Sequence, residues 1–296
     1  MITDVAPRRP DWLKVRVPGG QNYLELKTIM RDQALHTVCE EARCPNMGEC
    51  WEQRTATFMI LGDVCTRACG FCAVTSGKPQ ALDLLEPSRV ARAVQQMGLR
   101  HVVVTSVNRD DLDDGGSKVF AATIRKVREA NPGCTIEVLI PDFEGVETSL
   151  LNVIRAEPDL LDHNVETVER LTRRVRRRAQ YRRSLALLLR AKQLAPARLT
   201  KSGIMLGLSE TDDEVAQTLR DLREALVDIV TIGQYLRPTA KHLPVVKFYT
   251  PDEFAHWRDF GMELGFRHVE AGPLVRSSYH AHAHATLSPA EPPGAG

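Results

Sequence analysis

The chain has 296 residues, 43% hydrophobic and 26% charged, with 39 basic against 38 acidic side chains. That length allows one large domain or two modest ones with a sizeable core. The near-zero charge balance excludes a nucleic-acid protein that works by bulk charge, and equally a disordered, highly charged chain.

The first residues, MITDVAPRRPDWLKVRVPGG, carry charges and prolines where a secretory signal needs an apolar stretch. No run of about 18 apolar residues appears, so no membrane helix is expected. The chain is therefore expected to be cytoplasmic, a compartment where clustered thiols are metal ligands more often than disulfides. The opening segment and the closing TLSPAEPPGAG read as loose ends. Residues 21–56 are polar and cysteine-bearing without a clean period, so residues 1–56 read as an extension wrapped on a larger body.

From Thr57 onward, short β-branched apolar runs alternate with helix patterns. The runs are TFMILG (57–62), HVVVTSV (101–107), TIEVLI (135–140), DLLDHNV (159–165), SGIMLGL (202–208) and DIVTIGQYL (228–236). Their starts lie roughly 25–45 residues apart, the spacing of βα units, and continuous apolar runs suit parallel strands buried on both faces. Between them, PSRVARAVQQMG and TDDEVAQTLRDLREAL have helical spacing, the second opening on a Thr211–Glu214 capping box. Six units are two fewer than a closed eight-stranded barrel needs. The expected fold class is α/β, an open, six-stranded partial β/α barrel over residues 57–270, with a doubly wound sheet as the alternative. A seventh short run, FRHVEAGPLV (266–275), follows the last helix pattern, and residues 271–296 read as a C-terminal tail.

Six of the seven cysteines lie between Cys39 and Cys72, and Cys134, just before the third strand, reads as a small core residue. Cys65, Cys69 and Cys72 are spaced C-x3-C-x2-C. Structural zinc sites and [4Fe-4S] clusters usually close with four protein ligands. Three thiolates leave one position open, as a catalytic cluster requires. This triplet follows directly on the first strand, so it belongs to the first βα loop, at the C-terminal face where barrel active sites lie. Cys39, Cys44 and Cys50 form a second triplet, C-x4-C-x5-C. A zinc ribbon drawing on four of the six thiols is the alternative, although these spacings fit zinc-knuckle pairs poorly.

With an aromatic, Phe71, before its last cysteine, the C-x3-C-x2-C run resembles the signature of radical SAM enzymes. From about Lys27 to Ala281 the chain resembles the lipoyl synthase family among them. The likeness is carried by ARCPNMGECW (42–51), TATFMILGDVCTRACGFCAV (55–74), SVNRDDLDDGG (106–116), DHNVETVERL (162–171), KSGIMLGLSETDDEV (201–215), TIGQYLRP (231–238) and GPLVRSSYHA (272–281). The resemblance implies that Cys65, Cys69 and Cys72 bind a [4Fe-4S] cluster whose open iron takes S-adenosylmethionine, releasing a 5′-deoxyadenosyl radical. It implies an auxiliary [4Fe-4S] cluster on Cys39, Cys44 and Cys50, with Ser277, the first serine of RSSY, as fourth ligand. The implied reaction inserts sulfur at C6 and C8 of an octanoyl chain on a carrier lysine. It uses two S-adenosylmethionine molecules and takes both sulfurs from the auxiliary cluster. An unactivated C–H has no acidic proton, so a cofactor-borne radical is needed, generated away from water.

The partners implied are octanoylated lipoyl carrier domains, such as glycine cleavage H protein and 2-oxoacid dehydrogenase E2 subunits. An electron donor such as ferredoxin or flavodoxin and a cluster-repair carrier are also implied, with no nucleic acid and no membrane. The competing readings are another two-cluster radical SAM enzyme, such as a methylthiotransferase, and a non-enzymatic zinc or iron–sulfur scaffold. No recognition module follows the barrel, and near-zero charge with a barrel rhythm counts against the scaffold.

Asn108, Arg109 and Asp110 after the second strand, with His163, Asn164 and Glu166 closing the fourth, are expected to contact S-adenosylmethionine or substrate. Loop capping and buried hydrogen bonding is the plainer alternative. The family usually reads GLGET where this chain has GLSET, so if Ser209 must adopt a positive φ the local turn has to differ. The run ERLTRRVRRRAQYRR (169–183) holds eight arginines, readable as a solvated helix face, as a dock for an acidic carrier or as a phosphate-binding segment, with Arg176 and Arg177 the residues to charge-reverse. His280, His282 and His284 alternate in the tail, readable as a polar tail or a metal site.

Overall fold

Val102, Val103 and Val104 are all buried, as are Phe58, Met59 and Ile60. Strands apolar on both faces pair in parallel and are covered by their crossover helices. The computed structural model describes residues 9–15, 19–52, 55–284 and 287; the remainder of the two loose ends lies outside the described residues, as does the side chain of His282. The extension holds α1 (Gln21–Asp32), β1 (His36–Thr37), α2 (Val38–Glu41) and α3 (Met47–Glu52). The first half of the body holds β2 (Thr57–Ile60), β3 (Val64–Cys65), β4 (Thr75–Ser76), α4 (Glu86–Met97), β5 (His101–Ser106), α5 (Ser117–Ala130), β6 (Thr135–Leu139) and α6 (Glu147–Ile154). The second half holds β7 (Leu160–Asp162), α7 (Glu169–Val175), α8 (Tyr181–Leu194), β8 (Leu199–Leu206), α9 (Asp212–Glu224), β9 (Ile229–Gln234), α10 (Pro251–Glu263), β10 (His268–Gly272) and α11 (Ala281–His284).

The main sheet runs β1-β2-β5-β6-β7-β8-β9-β10, parallel throughout except for β1, and β3 pairs with β4 in a small separate ribbon. The expected open barrel therefore gains a seventh parallel strand. β10 pairs with β9 from His268 opposite Ile229 to Gly272 opposite Gly233, two residues beyond the expected barrel limit. The reason is topological: α10, opened by the Thr250–Glu253 capping box, returns the chain to the strand start, so the next segment must run parallel. This is the seventh short run read at 266–275; only Val269 of the strand is fully buried, so it lacks the continuous apolar character that marks the other six as barrel strands. Likewise β8 starts at Leu199, three residues before its apolar run, because it includes a buried Lys201. The Thr211–Glu214 box forms as read, with both reciprocal hydrogen bonds present. Cys134 is buried, and burial pushes its thiol up to about 11.

The sheet curls. α11 packs against β5, while its His284 lies against Lys201 of β8 and 3.9 Å from Glu270 of β10. On a flat sheet β5 and β10 would be about 24 Å apart at ~4.8 Å per strand, and a four-residue helix is about 6 Å long. Only a curved sheet lets one short helix meet both. The tail thus fills the barrel interior: Ala281 and His284 are buried, not part of a polar appendage. Inside, Lys201 Nζ pairs with Glu137 at 2.8 Å, both side chains fully buried, and His101 lies 3.5 Å from Glu137. The Lys201 ammonium can only donate, so His284 Nδ1 accepts and Nε2 carries the proton towards Glu270. Of the tail histidines, His284 thus faces the buried Lys201–Glu137 pair, and His280 lies 3.6 Å from Glu270.

The extension does not form a core of its own. Leu26, Met30 and Trp51 join Phe58, Ile60 and Val90 in one apolar cluster, with Tyr23 and Trp51 ring centroids 5.2 Å apart. This packing carries Cys39, Cys44 and Cys50 to the barrel wall.

Candidate functional site

The loop after β2 is pinned on three sides. Cys65 Sγ accepts the backbone N–H of Asn108 at 3.3 Å, and Gly70 N donates to Val175 O at 2.8 Å. His242 Nε2 donates to Cys72 O at 2.9 Å, its other nitrogen accepting from Thr239. Gly70 is closely packed: a Cβ there would sit 2.9 Å from Leu243, whose side chain would have to shift, and 3.4 Å from the Arg174 carbonyl. Beneath the loop, Arg67 donates to Asp110 at 2.7–3.1 Å and to Asp142 at 2.7 Å, all three side chains nearly or wholly buried. Both carboxyls are desolvated, yet Arg67's hydrogen bonds and charge hold them below the usual aspartate range. Arg67 was not singled out from the sequence, although it lies inside CTRACGFC; its partners are 43 and 75 residues away.

Cys39 on α2 and Cys50 on α3 line one hollow with Cys44, Asn46, Arg276, Ser278 and Tyr279. Asn46 Nδ2 donates to Leu274 O at 2.7 Å, tying the extension to the tail. Burial, reinforced by the neighbouring thiols, pushes Cys39 and Cys50 up to about 12. Burial also raises Cys44, against the pull of the Arg276 charge. In the other triplet burial and then Cys72 push Cys69 up to about 12, and burial raises Cys72 to about 11.

A polar bridge joins the two triplets. Glu166 bears on both Cys69 and Cys72 as a nearby negative charge, and accepts from Asn164 Nδ2 at 3.0 Å. The same Nδ2 donates to Ser277 Oγ at 2.7 Å. Arg276 bears on Glu166 on one side and on Cys44 on the other. Gly203 leaves room for this bridge, since a Cβ there would sit 2.8 Å from Asn164 Oδ1. Ser277 thus faces Asn164, whereas Ser278 lines the hollow of the first triplet.

The donor sets suit clusters better than single ions. Among the described residues, three metal-type donor atoms gather within 4.8 Å of one another only at His268, Glu270 and His284. One tetrahedral zinc at about 2.3 Å from sulfur would need thiols about 3.8 Å apart, and neither cysteine triplet is drawn that close. Buried thiols with raised pKa values need a cationic centre to ionise them.

The Radical SAM superfamily model matches residues 59–222, and a model of the N-terminal domain of lipoyl synthase matches residues 3–44. The lipoyl synthase of Rubrobacter xylanophilus is 64% identical over 93% of this chain and 85% of its own. The chain belongs to the lipoyl synthase family. The lipoyl synthase of Symbiobacterium thermophilum is 61% identical over 98% of this chain and 90% of its own. The crystal structure of methylornithine synthase superposes with a TM-score of 0.54 over 85% of this chain and 83% of that one, at 15% identity, a likeness of fold. As a lipoyl synthase the protein is a radical SAM enzyme that inserts sulfur, and it uses S-adenosylmethionine and [4Fe-4S] clusters, the auxiliary one included. The methylthiotransferase alternative is not favoured by these relatives.

In this lipoyl synthase family member the strand-end residues divide. Arg109 spends its guanidinium on Asp111, Leu61 O and Gln80 O, bracing the loop after β2. His163 is buried, with Nδ1 against Ile140 O and Nε2 against Ser184 Oγ, each at 2.8 Å, and burial lowers it to about 4, leaving it neutral. Asn108 presents its backbone to Cys65 and Thr66. Asn164 and Glu166 alone of these reach the space between the triplets. Arg176 does not lie on an outer face. α7 ends at Val175, and at φ −127° and ψ 79° Arg176 turns inward, donating to Val165 O and Ser184 Oγ at 3.2 Å. Ser209 keeps φ 87° despite its side chain, so the turn is retained under strain. No helix among the described residues is long and apolar enough to cross a membrane.

Proposed function

We propose that Cys65, Cys69 and Cys72 hold the cluster that binds S-adenosylmethionine, that Cys39, Cys44 and Cys50 hold the auxiliary cluster, and that a carrier-bound octanoyl chain receives sulfur at C6 and C8 between them. The observation that supports this most is the bridge from Cys69 and Cys72 through Glu166, Asn164 and Arg276 to Cys44, which sets two thiol triplets on one mouth. When bound, the clusters and S-adenosylmethionine supply an electron, hydrogen abstraction from an unactivated C–H, and the sulfur atoms.

The chain's own residues arrange the surroundings. The extension before Thr57 carries the auxiliary cysteines, the barrel runs from β2 to the end of β10 at Gly272, and Ala281 and His284 of the tail lie buried in the interior. Asn164 and Glu166 orient polar groups of S-adenosylmethionine or substrate, Asn108 fixes the Cys65 sulfur through its backbone N–H, and Arg109 holds the loop. The buried tail and extension keep water from the space between the triplets. The carriers are octanoylated lipoyl domains such as glycine cleavage H protein and E2 subunits, with reduction by a ferredoxin or flavodoxin and a separate carrier rebuilding the auxiliary cluster in the cytoplasm.

The family resemblance gives the fourth auxiliary position to Ser277, while the hollow presents Ser278. Ser277→Ala and Ser278→Ala separate the two: the ligand's variant loses auxiliary-cluster iron and sulfur insertion, and full retention in Ser277→Ala overturns its assignment. For the reaction itself, anaerobically reconstituted protein with reductant, S-adenosylmethionine and an octanoyl-lysine peptide should release 5′-deoxyadenosine and add two sulfurs by mass. No deoxyadenosine refutes the radical assignment; deoxyadenosine with an unchanged peptide refutes the substrate.

A further inference from the structure

Eight arginines fall within residues 169–183, and acids on the chain account for only some of them. Arg170 pairs with Glu214, Arg178 with Asp110, Arg182 with Glu169 and Arg183 with Asp142. Arg176 points inward. Arg173, Arg174 and Arg177 remain, all exposed, their guanidinium groups without a hydrogen bond or ion pair among the described residues.

Their position matters as much as their charge. They flank the end of α7, whose Val175 carbonyl accepts from Gly70, between Cys69 and Cys72. The Arg174 carbonyl lies against Gly70 itself, and Arg178 reaches Asp110, the partner of Arg67 in the same loop. The unneutralised arginines therefore stand on the rim of the mouth, in a chain whose net charge is only +1. Like charges crowded on an exposed rim do nothing for stability, whereas they raise the encounter rate and orient a partner of opposite sign.

We propose that Arg173, Arg174 and Arg177 form a docking rim for the acidic face of a carrier protein, the face that surrounds its octanoyl-lysine. This rests on the reading of the mouth as the octanoyl site. A free octanoyl-lysine peptide has no such face and does not use the rim.

The test is the triple variant Arg173→Glu/Arg174→Glu/Arg177→Glu beside the triple Lys variant, in the reconstituted full chain. Binding of an octanoylated carrier domain is followed by biolayer interferometry, and turnover is followed on that domain and on an octanoyl-lysine peptide. The Glu variant should weaken carrier binding and raise carrier KM about tenfold, as expected for loss and reversal of three rim charges. Its kcat/KM on the peptide should stay unchanged. The wild-type advantage should fade with added salt, and the Lys variant should retain most of it. Unchanged carrier binding in the Glu variant overturns the proposal. So does an equal loss on carrier and peptide, which makes the arginines part of the loop, or weakened binding of a short single-stranded RNA with carrier binding intact. If the peptide is not sulfurated even by the wild type, the proposed reaction fails while the binding measurement still decides the rim.

Discussion

Replacing Arg67 by methionine tests how the loop that carries Cys65, Cys69 and Cys72 is held. Arg67→Met roughly keeps the volume of the stem and deletes the guanidinium contacts to Asp110 and Asp142 at 2.7–3.1 Å. Asp142 is left with Arg183 at 2.8 Å, and Asp110 with Arg178 at 3.3 Å from an exposed side chain. Breaking a buried ion pair from one side costs about 3–5 kcal/mol. The remaining arginines set the expected loss at the lower end, about 3 kcal/mol, which at an unfolding entropy of about 2 cal/mol/K per residue is a fall of about 5 °C in Tm for a chain of 296 residues. Arg67→Lys keeps the charge but not the fork, so it should fall between. The desolvated carboxyls sit below their free value because Arg67 binds the ionised form. Their stabilisation is complete above about pH 4 and drains away as pH falls below it, and this acid loss should shrink in Arg67→Met. Thermal unfolding of the cluster-free chain at several pH values reads the stability, and iron per chain after reconstitution reads the loop. A fall below about 2 °C with full iron loading would refute the view that Arg67 anchors the loop.

Two further substitutions bear on the barrel. Ser209→Gly should relieve the φ of 87°, raising stability by about 0.5–1 kcal/mol net of glycine's greater unfolded freedom, and a lower Tm would show that the turn is unstrained. Lys201→Met strands Glu137 in the interior and should cost about 3–5 kcal/mol in urea unfolding. The double variant Lys201→Met/Glu137→Gln should recover much of that, and a double variant no better than the single would mean that the charges do not act as a pair.

Much of the fold was legible because a strand covered on both faces must be apolar along its whole length. Val102 to Val104 and Ile229 to Ile232 announce themselves in this way. β10 showed only as a short run outside the barrel, and the start of β8 not at all, since His268, Glu270 and Lys201 break the apolar pattern and pair with other polar groups instead. The arginine run misled in one place only. Arg176 belongs to a repeating basic pattern, but the helix stops one residue before it, and a change of two backbone angles sends its side chain under the cluster loop rather than into solvent.

The sequence by itself determined the chemistry, because metal-cluster binding depends on how many thiols fall within a short stretch of chain, and such spacing is local. Family likeness then attached a reaction to the two triplets. Tertiary structure decided what local spacing cannot encode: that the extension and tail bring the second triplet to the same mouth as the first, that Asn164 and Glu166 bridge them, that Arg109 and His163 brace rather than face the site, and that three of eight arginines stand unpaired at the rim. Each of these depends on contacts between segments tens to hundreds of residues apart, which form only once the sheet has curled.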